Sequence, residues 1–228
     1  MPAAPLLARP PLSFLPKGLT LGQAHTRPEE LISSGNPALD RLLGGGLPRG
    51  RLSEVCGSAS SGRTSLAYWL LAAATRRNEI VALVDGRNRF DPRCAAAGGV
   101  DLSRLLWVRP PDEREALRAS EILLGTRGLG LVLLDFAEGL SPLLAARFAS
   151  AWPRLARQAA AANGTFVMLS RRRLAGSFAA LCLELRGTRS LWPTHALRAS
   201  LFAGIATRVE VVRKRDPAPG ARYVELRP

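Results

Sequence analysis

Residues 52–64 read Leu52-Ser53-Glu54-Val55-Cys56-Gly57-Ser58-Ala59-Ser60-Ser61-Gly62-Arg63-Thr64. The first five form a short, largely apolar run bounded by glycines, the pattern of a buried strand. From Thr64 to Arg76 apolar residues recur at helical spacing: Leu66, Leu70 and Ala73, then Ala67, Leu71 and Ala74. Between strand and helix lies Gly57-Ser58-Ala59-Ser60-Ser61-Gly62-Arg63-Thr64, the frame of a phosphate-binding P-loop with Arg63 in place of its lysine. Small residues let successive N–H groups turn inward around phosphate oxygens. The helix N-terminus behind them favours an anion. Thr64 supplies the hydroxyl that would hold Mg²⁺. Lysine is a compact charge, whereas arginine is a larger planar fork, so Arg63 is not an equivalent replacement. The frame takes ATP or ADP with Mg²⁺. A glycine-rich turn that has given up its ligand has the same sequence, and both readings stand at this point.

The chain alternates outward from this turn. Ile80–Asp85, Leu105–Val108, Leu129–Asp135 and Thr165–Ser170 read as strands. Helices are expected at Pro37–Leu43 (capped by Asn36 or Ser34), Arg93–Gly98, Glu113–Leu124 after Asp112, and Ser141–Ala162, with a restart at Pro153. Apolar strands separated by helices predict an α/β fold, a mainly parallel sheet covered on both faces. From Ala180 the pattern changes. Leu181–Arg186, Thr207–Val212 and Ala221–Leu226 read as strands joined by loops, an antiparallel C-terminal edge. Asp135 ends an apolar strand in the form of a Walker B and is the second candidate for holding Mg²⁺.

Composition bounds the rest. The chain has 228 residues, 32 Lys+Arg against 18 Asp+Glu, a net charge of +14 and a pI near 11.4. Only Lys17 and Lys214 are lysines. Arginine in place of lysine, with abundant Ala and Gly, reads as coding bias. The surplus of positive charge is a separate matter and suits a nucleic-acid partner. Hydrophobic residues make up 47%, enough for a core. Cys56, Cys94 and Cys182 are too few and too widely spaced for a disulfide framework or zinc cluster, so buried reduced thiols are expected. His25 and His195 alone make a histidine metal site improbable. No apolar stretch is long enough to span a membrane, and prolines interrupt the apolar start, so a cytoplasmic protein without membrane contact is expected. Residues 1–30 read as a Pro-rich extension and 31–228 as one core domain.

The sequence resembles the RecA recombinase family over most of its length. Ile32-Ser33-Ser34-Gly35-Asn36-Pro37-Ala38-Leu39-Asp40 is similar to its "STG…LD" segment. Gly44 to Val55, GGGLPRGRLSEV, is similar to "GGGLPxGRIVEI". Leu83-Val84-Asp85 with Phe90-Asp91-Pro92 and Gly99 to Leu106 resembles "FIDAEHALDP…GVDIDNLL". Thr207 to Arg215 resembles "TRVKVVKNK". The resemblance implies a RecA-like P-loop core. It also marks departures. The family's water-activating glutamate corresponds to Arg87, and a guanidinium cannot act as a base near neutral pH. Its γ-phosphate-sensing glutamine corresponds to Ser170, and both DNA loops look shortened.

A RecA-like core without its motor resembles the ImuA-type accessory proteins of SOS mutagenesis. That resemblance implies a non-hydrolysing protein of DNA repair and translesion synthesis. It would bind RecA, limiting or capping its filament, and an ImuB-type inactive Y-family polymerase homologue. A divergent DNA-dependent ATPase is the alternative, and a plain DNA-binding module a third. Arg171, Arg172 and Arg173, then Arg213, Lys214 and Arg215, are candidates for DNA or partner contact. Trp192 is the candidate anchor of a protein contact, Trp69 and Trp152 being expected in the core or an interface.

Overall fold

The computed structural model describes residues 30–136, 140–191, 204–214 and 221–226. The expected 1–30 extension, apart from Glu30, lies outside these residues, as do Trp192 and Arg215. The strands are β1 (Leu31–Ile32), β2 (Leu47–Pro48), β3 (Leu52–Gly57), β4 (Ile80–Asp85), β5 (Leu105–Val108), β6 (Leu129–Asp135), β7 (Thr165–Ser170), β8 (Leu181–Leu191), β9 (Gly204–Lys214) and β10 (Ala221–Leu226). The helices are α1 (Pro37–Leu43), α2 (Arg63–Arg76), α3 (Pro92–Ala97), α4 (Glu113–Gly125), α5 (Pro142–Arg147) and α6 (Ala151–Ala162).

Eight strands form one sheet in the order β10-β9-β8-β3-β7-β6-β4-β5. From β8 to β5 every neighbouring pair is parallel; β8–β9 and β9–β10 are antiparallel. The expected mixed sheet is therefore present, with the antiparallel strands at one edge. The period-2 alternation of each strand feeds two cores. Val55, Leu83, Leu133, Val167 and Leu183 pack with α1 and α2. Val84, Leu134, Phe166 and Met168 pack with α4 and α6 through Leu117, Leu124, Trp152 and Leu155.

Local chemistry sets the helix starts. Asn36, not Ser34, caps α1: its Oδ1 accepts from the N–H groups of Ala38 and Leu39 at 3.0 and 3.1 Å. Ser34 is committed to Asp40, donating to its Oδ1 at 2.6 Å. Asp112 caps α4 through the Glu115 N–H at 2.8 Å. The helix expected over 141–162 is two helices broken at residues 148–150. The second begins before Pro153, which falls in its first turn, where a missing N–H costs nothing.

Register positions the site. The parallel pairs align Asp85 with Asp135, Asp135 with Leu169, and Ser170 with Cys56, the residue before Gly57. The carboxyl ends of β3, β7, β6 and β4 thus finish together, the edge where open α/β sheets bind ligands.

Candidate functional site

The P-loop bridges β3 and α2 as its sequence requires. Gly62 has φ +95° and Ser60 φ +59°, so the turn uses left-handed backbone at two places. A Cβ on Gly57 would overlap Ser61 Oγ and lie 2.8 Å from the Leu185 carbonyl oxygen. The loop is held from below by β9, where Thr207 Oγ1 donates to the Ser61 carbonyl at 2.8 Å. Ser61 Oγ is buried and has no partner among the described residues. A cavity of about 200 Å³ adjoins the loop, lined among others by Ala59, Ser60, Arg63, Thr64, Asp85 and Asp135. The structure therefore brings Thr64 and Asp135 to one cavity. Its size suits a phosphate-bearing group rather than a whole ligand of the ~300–1,000 Å³ class. The residues fit a phosphate with Mg²⁺: the loop as cradle, Thr64 and Asp135 as magnesium holders. Bound there, magnesium would neutralise phosphate charge.

Arg87, the position that the resemblance equates with the family's glutamate, is not among the residues lining that cavity. Arg87 Nη2 meets Glu113 Oε1 at 3.2 Å, at the start of α4. Arg89, missed in the sequence, lines the cavity, with Tyr68 and Phe90. Asp85 is 2% exposed and takes four donors. The N–H groups of Arg87 and Arg89 reach Oδ1 at 3.4 and 3.0 Å; the Phe90 N–H and Trp107 Nε1 reach Oδ2 at 2.9 and 3.2 Å. Phe90 packs edge-on against Tyr68 and Trp107, with ring centroids 5.7 and 5.3 Å apart. Arg109 covers the Trp107 ring at 4.8 Å. Burial raises the Tyr68 phenol above its ordinary range. The signal for this aromatic group lay in the spacing of Tyr68, Phe90 and Trp107 on three separate elements, which periodicity does not join.

Ser170 is buried and donates to the Arg172 carbonyl at 2.6 Å, which ties down the turn after β7. Arg171 and Arg172 then line a second cavity, about 290 Å³, with Gly57, Ser58, Glu184 and Arg186. Arg186, also missed in the sequence, pairs with Glu184 at 2.9 Å. Its position follows from the parallel register of β8 on β3, which sets Leu185 against Gly57. Arg173 instead lines a cavity with Glu54 and Cys182. Arg213 and Lys214 lie at the opposite end of the sheet, since β9 runs antiparallel to β8. Arg213 donates to the Gly176 carbonyl at 2.8 Å, and Lys214 Nζ donates to the Leu43 carbonyl. Among the described residues, the basic candidates are thus two groups, of which Arg171 and Arg172 alone adjoin the P-loop.

Glu54 is a buried carboxyl that the sequence did not single out. Its Oε1 accepts the N–H groups of Leu174 and Ala175 at 2.5 and 3.2 Å. Burial raises its pKa, and those two hydrogen bonds work against the rise. The thiol expectations divide. Cys56 and Cys182 are buried and free, but Cys94 is exposed and donates to Asp91 Oδ2 at 3.1 Å. It lies on the outer side of the short α3, whose buried residue is Ala95. Nor are Cys56 and Cys182 far apart: the β3–β8 pairing brings together residues that are remote in sequence. The hydrogen bond to Cys182 and burial push the Cys56 thiol up.

Among the described residues, no helix is long and apolar enough to cross a membrane. A family model, the RecA N-terminal domain, matches residues 17–149. The chain is 39% identical over 125 residues to Protein RecA of Arthrobacter sp. (strain FB24), covering 54% of this chain and 36% of that protein. It is 40% identical over 124 residues to Protein RecA of Nostoc punctiforme, covering 54% and 34%. The chain therefore spans about a third of the length of these relatives. The crystal structure of the RadB recombinase has the same fold, with a TM-score of 0.65 at 22% identity over 85% of this chain and 94% of that one. A family match over more than half of the sequence, on this sheet and this P-loop, makes the chain a member of the RecA N-terminal domain family.

Proposed function

We propose that this protein is a non-hydrolysing RecA-like accessory factor. It binds RecA, limits or caps the RecA filament, and acts with an ImuB-type polymerase homologue in SOS-induced translesion synthesis. One observation carries the reading: the guanidinium of Arg87, which the resemblance equates with the family's water-activating glutamate, is paired with Glu113. Arg63 in place of the P-loop lysine supports it. A core that offers one protomer's surface but lacks a nucleotide-driven cycle can join a filament end without extending it. Arg171, Arg172 and Arg186 beside the P-loop suit a backbone phosphate of DNA as an accessory contact. The domain reading, a Pro-rich extension before a core at 31–228, and a cytoplasmic location belong to this proposal.

The test is RecA filament length on single-stranded DNA, with and without the purified protein. Shortened or fewer filaments are expected at substoichiometric amounts. Unchanged filaments together with no RecA binding would sink the proposal. The shared cavity of Thr64 and Asp135 favours a second reading, a divergent DNA-dependent ATPase. DNA-stimulated turnover that disappears in Arg63→Ala would establish it in place of the first.

A further inference from the structure

Glu54 and Cys56 are two apart on β3, so both side chains stand on one face of the sheet. Cys182 lies on β8 directly opposite Glu54 in the parallel register. The donor atoms of the three residues, one carboxylate oxygen and two sulfurs, all lie within 4.8 Å of one another. The residues are 1%, 2% and 3% exposed. On the same face, Ser170 Oγ lies 3.7 Å from Cys56 Sγ. A cavity of about 350 Å³ reaches the group, lined by Glu54, Cys182, Arg173, Gly176, Val212 and Arg213.

This is an unusual place for two thiols to serve as plain core filling. A buried cysteine normally packs as a small apolar residue. Here both sulfurs face a buried carboxyl, and Oε1 of that carboxyl is already committed to two backbone N–H groups. Two soft sulfurs and one oxygen at this spacing are the donor set of a thiophilic d¹⁰ cation.

We propose that Glu54, Cys56 and Cys182 form a binding site for a divalent cation of the zinc class. The three side chains are the protein ligands, and the fourth, tetrahedral position faces the cavity. Ligation would bring the donors to roughly 3.5–3.8 Å apart, the spacing set by metal–sulfur bonds near 2.3 Å and metal–oxygen bonds near 2.0 Å. With the donors at most 4.8 Å apart, this takes a contraction of at most about 1.3 Å, within reach of side-chain torsions. The charges also close. Each thiol gives up its proton to solvent, so two thiolates and a carboxylate around a divalent ion leave a net charge of −1. Arg173 and Arg213 line the same cavity and supply positive charge near that site. The site joins β3 to β8 beneath the turn that carries Arg171 and Arg172. A bound cation would fix that turn beside the first residue of the P-loop. The site stands on its own residues and does not depend on whether the protein caps RecA.

The test uses the full-length, reduced protein. Titration with Cd²⁺ is expected to give a thiolate-to-metal charge-transfer band that saturates at one ion per chain. Zn²⁺ should compete for the same site and raise the unfolding temperature. Cys182→Ser and Cys182→Ala should each abolish the one-equivalent band and weaken Zn²⁺ binding by about tenfold or more. Cys94→Ser should keep both, since that thiol lies elsewhere. Folding of each variant is checked by circular dichroism. No band in the folded wild-type protein would overturn the site. So would a band that survives both Cys182 substitutions, or one that disappears in Cys94→Ser.

Discussion

The turn at 57–64 after β3 and the turn at 86–91 after β4 leave the same edge of the sheet, and they use their polar groups in opposite ways. In the first, the backbone is shaped around a space: Gly57 admits no Cβ, and Ser61 Oγ is buried without a partner among the described residues. In the second, the groups are spent internally. Asp85 collects four donors, and Arg87 reaches out to Glu113. The first turn keeps the form of a ligand site, whereas the second has become a structural clasp. Within one family fold, then, binding geometry and catalytic chemistry can be separated. The cradle is a backbone property held by glycines and neighbouring strands, whereas the second turn is held by one buried carboxylate and its four donors.

The contrast can be broken most severely at Asp85. Asp85→Ala leaves three backbone N–H groups and the indole N–H of Trp107 without their acceptor, in a site that is 2% exposed. The expected loss is roughly 3 kcal/mol or more, because hydrogen bonds to charged groups and stranded buried donors are each worth about 1–3 kcal/mol. Chemical denaturation measures it, and a loss below about 1 kcal/mol would mean that the clasp is not structural. Gly57→Ala comes next. Its Cβ meets the Leu185 carbonyl at 2.8 Å, so β8 or the loop must shift. About 1–3 kcal/mol is expected from that overpacking. If the cradle still binds phosphate, nucleotide protection against unfolding should be present in the wild type and lost in this variant. Thr207→Val is milder, about 1 kcal/mol, since it removes one hydrogen bond to the Ser61 carbonyl and keeps the shape.

Legibility in the sequence followed the range of the interactions. The strands and the P-loop were readable because they depend on contiguous residues: a five-residue apolar run, a glycine-rich turn, a helical period. The antiparallel edge was readable from the lack of a clear helical pattern in the sequence after Ala180. Pairings across the sheet were not. Cys56 and Cys182 meet because β8 pairs with β3 in one particular register. Glu54 looked like one polar residue in a strand, yet it binds the backbone of Leu174 and Ala175. Arg173 reads as one of three consecutive arginines, and the turn after β7 sends it to a different cavity from its two neighbours. The break between α5 and α6 came earlier than Pro153 because proline is comfortable in a first turn and so does not mark a boundary before itself.

The smallest effect is expected at Arg87, and it separates the two readings of the protein most cleanly. Its side chain is 42% exposed and its partner Glu113 24% exposed, so the ion pair works largely in solvent. Such pairs contribute about 0–1 kcal/mol, and less as salt rises. Arg87→Ala should therefore leave the unfolding midpoint nearly unchanged and abolish the small salt dependence that belongs to the pair. If Arg87 has no catalytic task, any nucleotide turnover should be equally low in wild type and variant. If the protein is an ATPase that uses this guanidinium on the phosphate, the variant should lose turnover while keeping its stability. A structural clasp, by contrast, predicts that Asp85 variants unfold and Arg87 variants change nothing but the salt response. The two substitutions at one turn then report separately on folding and on chemistry, which Gly57→Ala cannot do, since at Gly57 the backbone that binds is also the backbone that folds.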